Sequence, residues 1–169
     1  MSVVKKVTLI SAFGLLALLL YMLWAYNPCN YSHKKTNLDK KYQLLIANEG
    51  SHFKDSVVSV LTKHYSSKPV NIKIIPLSAL SQIEPKEYHA IVIFHSWYTW
   101  KPPPEVEGFV HKHHNCLGNI VSFSTSFYGN LKMKELDGIT GASKMSDASG
   151  YAQKLIEKIN PLLNIDKQN

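Results

Sequence analysis

Between residues 137 and 146 the chain gathers Asp137, Thr140, Gly141, Ala142, Ser143 and Ser146, small and oxygen-bearing side chains set just ahead of a helical pattern. Such a run can serve one of two ends. Its hydroxyls and backbone N–H groups can hold a ligand oxygen, because the first amides of a helix lie unpaired. Alternatively it shapes a strand running into a helix. Asp137 then ends the strand, Gly138 and Gly141 permit the turn, Ala142 packs closely, and Ser143 or Ser146 caps the helix. Residue types alone leave both readings open.

A second dense cluster is His111, His113, His114 and Cys116. Nitrogen and sulfur ligands of this kind suit zinc or copper. On a helix, however, His111 and His114 share a face, His113 points elsewhere and Cys116 falls past the helix end. A solvated helix terminus explains the histidines through the negative end of the dipole, and no metal is expected. Ser96 lacks the Gly-x-Ser-x-Gly elbow of a nucleophile. The acids Glu105, Glu107, Glu135 and Asp137 form no evident pair. No catalytic residue is assigned.

The elements that must position these residues can be read from periodicity. Residues 42–47 (YQLLIA), 89–94 (HAIVIF) and 119–124 (NIVSFS) are nearly continuous apolar runs, as expected of strands covered on both faces. Residues 70–77 (VNIKIIPL) alternate with Asn71 and Lys73, which marks a half-exposed edge strand. Phe53, Val57, Leu61 and Tyr65 recur every four residues on a helix. Pro104 suits a first helical position, with Val106, Phe109, Val110 and His113 on one stripe. Ala148, Tyr151, Ala152, Leu155, Ile156 and Ile159 define the last helix, with Ser146 as N-cap and Pro161 as its close. The pattern predicts an α/β three-layer sandwich with a mostly parallel sheet in the order 2-1-3-4-5. About ten residues separate the fourth strand from KELDGIT, so the fourth crossover helix is lost or reduced to a turn, or the last strand is antiparallel.

Residues 7–26 run without a charge, long enough to cross a bilayer core of roughly 30 Å. Tyr21, Trp24 and Tyr26 sit where interfacial aromatics usually lie. Tyr26-Asn27-Pro28 is a poor cleavage site, which favours an uncleaved anchor over a signal peptide. The expected organisation is a tail (1–6), a transmembrane helix (7–26), a linker (27–41), a folded domain (42–163) and a short tail (164–169). Lys5 and Lys6 favour an N-terminus in the cytoplasm with the domain outside, while Lys34, Lys35, Lys40 and Lys41 pull the other way. The net charge is +7 and all nineteen basic residues are lysines. Without arginine, bidentate readout of guanine or phosphate is lost, so no nucleic-acid role is expected. The lipid bilayer is the expected partner. Oligomeric state is not legible.

In an open α/β sheet, ligands gather where strand C-termini meet the switch in strand order. Here those loops are NEGSH (48–52), HSWYTW (95–100) and STSFYG (124–129). With them the chain resembles the flavodoxin family in topology over residues 42 to about 160. That resemblance implies an FMN cofactor, its phosphate at Gly50 and Ser51 after the first strand. Trp97 or Tyr98, and Phe127 or Tyr128, would sandwich the ring, with Thr125 beside them. The loop departs from the family's run resembling Thr-Gly-x-Thr, and its Glu49 would repel a phosphate dianion. The segment Asp137-x-x-Thr140-Gly141-Ala142-Ser143-x-x-Ser146 is also similar to the attachment motif of covalently flavinylated domains of sodium-pumping quinone reductases. This second likeness implies FMN joined through its phosphate at Ser143. Those domains carry Thr there and are built on a different scaffold. Thr140, Gly141 and Ser143 could equally line the same pocket without a covalent bond. The resemblances together imply FMN binding and electron transfer beside the bilayer, with a membrane redox partner. The alternative is a cofactor-free, membrane-tethered interaction domain that kept the fold.

Overall fold

The computed structural model describes residues 13–21 and 40–165. The chain divides into two units, Met1–Asn30 and Tyr31–Asn169. In the first, residues 13–21 form a helix whose leucines are exposed. The rest of the expected 7–26 span lies outside the described residues, and among the described residues no helix is long and apolar enough to cross a membrane.

The second unit is built on five strands: β1 (Tyr42–Asn48), β2 (Val70–Pro76), β3 (Ala90–Ser96), β4 (Ile120–Thr125) and β5 (Asp137–Gly141). They form one sheet in the order β2-β1-β3-β4-β5, and every neighbouring pair is parallel. This is the order expected from burial. β1, β3 and β4 are apolar on both sides because both sides are covered, whereas Lys73 and Ile74 of β2 are exposed at the edge.

Helices α1 (His52–Tyr65) and α3 (Ala148–Leu163) cover one face of the sheet. Phe53, Val57, Leu61 and Tyr65 meet Ala152, Leu155, Ile156 and Ile159 there, over Leu44, Ile46, Val92, Phe94 and Phe123. The opposite face is closed by the 3₁₀ turn Leu77–Gln82, by α2 (Pro104–Lys112) and by Met133 and Leu136, over Leu45, Ala47, Ile91 and Ile93. Alternate residues of each strand thus feed two separate cores.

The β4–β5 connection contains no helix. Met133 and Leu136 plug the second core directly, and β5 is parallel, so the crossover is reduced to turns. Three local expectations are corrected. Asp137 opens β5 rather than ending it, and it pairs with Lys158 of α3 at 2.7 Å. The N-cap of α3 is Asp147, not Ser146, whose hydroxyl instead donates to the Asp147 carboxylate at 2.9 Å. Pro161 does not close α3 but lies inside it. A proline there removes one helical hydrogen bond. Carrying the helix on to Leu163, which is fully buried, recovers about 1.5–3 kcal/mol of apolar burial. The helix then stops at Asn164, a left-handed residue with φ 51°.

Candidate functional site

The C-terminal rim of the sheet at β1, β3 and β4 is where the strand order switches, and its loops fall into two chemically different halves. The first half is the turn from β1 into α1. Ser51 caps α1 by accepting from the Lys54 N–H at 3.3 Å, and the Gly50 N–H donates to the Asn48 side chain at 3.2 Å. Lys54 is only 1% exposed. Its ammonium donates to Glu49 Oε2 at 2.8 Å and to Ser96 Oγ at 2.7 Å. Ser96 Oγ in turn donates to the same Glu49 oxygen at 2.7 Å and lies 3.2 Å from Thr125 Oγ1. The nearby Glu49 carboxylate raises the Tyr98 phenol above its ordinary range.

This ring of contacts caps the first core. Directly below it Phe94 and Phe123 meet at 5.4 Å, and Phe123 and Tyr151 at 5.1 Å. Burial works to raise the Glu49 carboxyl, but hydrogen bonds from Lys54 and Ser96, the Lys54 charge and Tyr98 outweigh it and hold the group below its ordinary range. The Ser96–Lys54 contact has the distance of a nucleophile and its base. The ammonium donates in it, however, and the Ser96 proton already lies on Glu49, so the pair is arranged as an ion-pair support.

The second half consists of the loops after β3 and β4. Tyr98 is 61% exposed, Trp100 71%, Phe127 91% and Tyr128 71%. Tyr98 and Lys101 exchange backbone hydrogen bonds at 2.9 Å in both directions. The two residues between them, Thr99 and Trp100, have φ of 46° and 66°. This is a type I′ hairpin turn built without glycine, a backbone cost usually tolerated only where the surroundings demand it. Phe127 and Tyr128 stand edge to face at 5.0 Å. The following Gly129 (φ +66°) lies against the β5 exit, where an added Cβ would come within 2.9 Å of the Ala142 N. The Ser126 N–H reaches Gly141 O at 3.3 Å. These contacts bring the Thr140–Ser143 turn against the β4 loop.

The residues expected from sequence therefore have different fates. Gly50 and Ser51 lie at the start of α1 with their polar groups engaged locally. Trp97 turns away from the rim onto the second core, where its Nε1 is buried without a partner. Tyr98 and Tyr128 face solvent, and Thr125 is buried behind Ser96. Thr140 Oγ1 is buried without a partner. Gly141 is buried because a Cβ there would run into the Tyr151 ring, which is a packing requirement. Ser143 is exposed. Sequence reading missed Lys54 and Ser96 and the importance of Trp100. Lys54 carried a signal: it shares the i, i+4, i+7, i+11 stripe with Val58, Leu61 and Tyr65, all buried.

The histidine cluster does not assemble. His111 and His114 are exposed, His113 caps α2 and packs on Phe109 at 4.9 Å, and Cys116 is disulfide-bonded. Among the described residues no three His, Cys, Asp or Glu side chains come together as a metal site. Among the described residues, hollows lie away from the aromatic rim. One, of ≈ 450 Å³, runs between α2 and the β4–β5 link, past Trp97, Val110 and Met133. Another, of ≈ 370 Å³, lies along the first turn of α3.

No family model matches the chain, and no curated protein does. Among solved structures it is similar to the rubredoxin oxygen:oxidoreductase from Desulfovibrio gigas, at 14% identity and a TM-score of 0.52, over 75% of this chain but only 38% of that one. It is also similar to a flavodoxin from the domain Archaea (14% identity, TM-score 0.49, 71% of this chain and 98% of that one). Flavodoxin 2 from Bacillus cereus is comparable (14% identity, TM-score 0.47, 69% and 99%). Strand order, parallel pairing and two-sided helical cover together make this a flavodoxin-like fold. The rim fits half of the FMN that the sequence resemblance implies. A planar ring has exposed aromatic faces to meet, while a phosphate meets a carboxylate and donors already in use.

Proposed function

We propose that this chain is a bilayer-tethered flavodoxin-like domain that binds a planar, flavin-type ring on its aromatic rim and takes part in electron transfer with a membrane partner. The observation that carries the reading is the exposure of Tyr98, Trp100, Phe127 and Tyr128 on the loops after β3 and β4, beside the β1–β3 switch in strand order. Large flat rings bind by offset or edge stacking on such faces. A rim open to solvent is also where a partner protein can reach an electron carrier.

The tether is the uncharged 7–26 segment, whose leucines in residues 13–21 are exposed. The disulfide at Cys116 supports placing the domain in an oxidising compartment, with the N-terminus in the cytoplasm. A second reading, a cofactor-free interaction domain, is favoured by the Glu49–Lys54 pair closing the anion turn. Purifying the full chain in detergent decides between them. Flavin-band absorbance, or quenching of added flavin fluorescence, supports the first reading. Colourless protein that ignores added flavin leaves the second. Colour that survives denaturation and disappears in Ser143→Ala would mean covalent attachment.

A further inference from the structure

Several of the groups that a ligand phosphate could use at the β1–α1 turn are already engaged within the chain. The Gly50 N–H serves Asn48, and the Ser51 hydroxyl caps α1. Two donors of Lys54 and the hydroxyl of Ser96 point at or beside Glu49 Oε2. We propose that Glu49 is a specificity gate: its carboxylate stands where a ligand's anionic group would sit, so the rim takes a flavin-class ring without a phosphate ester, at the level of riboflavin. The proposal rests on the ring-binding reading above.

Three features support it. Lys54 and Glu49 form an ion pair whose side chains are 2% and 17% exposed, so the carboxylate is fixed rather than solvated. The pair also sits at the first turn of α1, where the helix dipole favours a negative charge, and the chain supplies that charge itself. Ser96 ties Glu49 to the strands beside it, because its hydroxyl donates to Glu49 at 2.7 Å and lies 3.2 Å from the Thr125 hydroxyl. A phosphate that displaced Glu49 would therefore disturb Lys54, Ser96 and Thr125 at once. A ring with an uncharged side chain leaves all of them in place.

The test is a titration of the full chain in detergent with riboflavin and, separately, FMN, read by flavin fluorescence at one ionic strength. The expected result is tighter binding of riboflavin by about tenfold or more, the penalty of a like-charge contact. The isosteric Glu49→Gln, which keeps an acceptor for Lys54, should erase that preference by gaining affinity for FMN. Wild-type protein that binds FMN as tightly as riboflavin overturns the gate and leaves the ring reading standing. So does an unchanged ratio in Glu49→Gln, and so does FMN retained through denaturation on Ser143. Wild-type protein that binds neither flavin overturns the ring reading and the gate with it. If Glu49→Gln fails to fold, the wild-type ratio decides alone.

Discussion

The two halves of the rim sit on one sheet edge yet are built on opposite terms. At the β1–α1 turn Gly50, Ser51, Glu49 and Lys54 find partners in their own chain, down to a lysine that is 1% exposed. In the loops after β3 and β4, four large aromatic side chains stand in water, one of them on a turn that two non-glycine residues hold in left-handed conformation. The contrast shows that a fold reserves a position for a ligand without determining what fills it. Here one part of the reserved space is taken by the chain's own charges and the other part is left open.

The comparison can be broken most directly at Lys54. Lys54→Met leaves Glu49 inside a ring of contacts without its counter-charge, and should cost about 3 kcal/mol in urea unfolding. The double variant with Glu49→Gln should recover most of that loss. A cost below about 1 kcal/mol would mean that the turn is held no more tightly than a surface pair. Next in size is Gly141→Ala, whose methyl meets the Tyr151 ring. It should cost about 2 kcal/mol by overpacking, with part regained in a Tyr151→Ala background.

Acidification should destabilise the fold in two steps. Burial keeps His95 neutral, against opposing effects of the Ser96 backbone and Glu49, so its folded value lies below the ordinary 6.5. The unfolded chain then takes up the proton first. Stability is full above 6.5 and falls as pH drops below it, with His64 and His113 adding to this step. Glu49, held below its ordinary 4.5, gives a second loss as pH falls under that value, joined by Asp137 on Lys158. Glu49→Gln should shrink the lower step and somewhat enlarge the upper one, because it removes the charge that holds the His95 value up. If the ion pair contributes nothing, thermal melts across the range would show the same lower step in wild type and in Glu49→Gln. The smallest effect on stability belongs to the open half. Trp100→Ala or Phe127→Ala should change it by less than about 0.5 kcal/mol. Either variant should weaken flavin binding by roughly tenfold if the rings stack on it.

Much of the sheet was legible because burial leaves a local trace. The polar alternation of β2 marked it as an edge, and the unbroken apolar runs of β1, β3 and β4 marked them as interior. The end of α3 was misread because a proline's local penalty was weighed without the buried Leu163 beyond it. The Glu49–Lys54–Ser96 contact was not legible as a unit, since its members are brought together across 42 residues by β1–β3 pairing. Glu49 could be seen to oppose a phosphate, but only the fold shows the cation that holds it there. Trp97 and Tyr98 were interchangeable in sequence. Strand alternation decides between them, sending Trp97 to the second core and Tyr98 to the rim.

The hairpin turn that holds Trp100 outward also gives the molecule an optical reporter of its own. An indole on a braced backbone emits as a solvated fluorophore, open to collisional quenchers, whereas Trp97 is partly shielded against α2 and the core. Whatever settles on that edge should shift and protect the emission of Trp100 first. Occupancy could then be followed on the unlabelled protein, with Trp100→Phe as the blank.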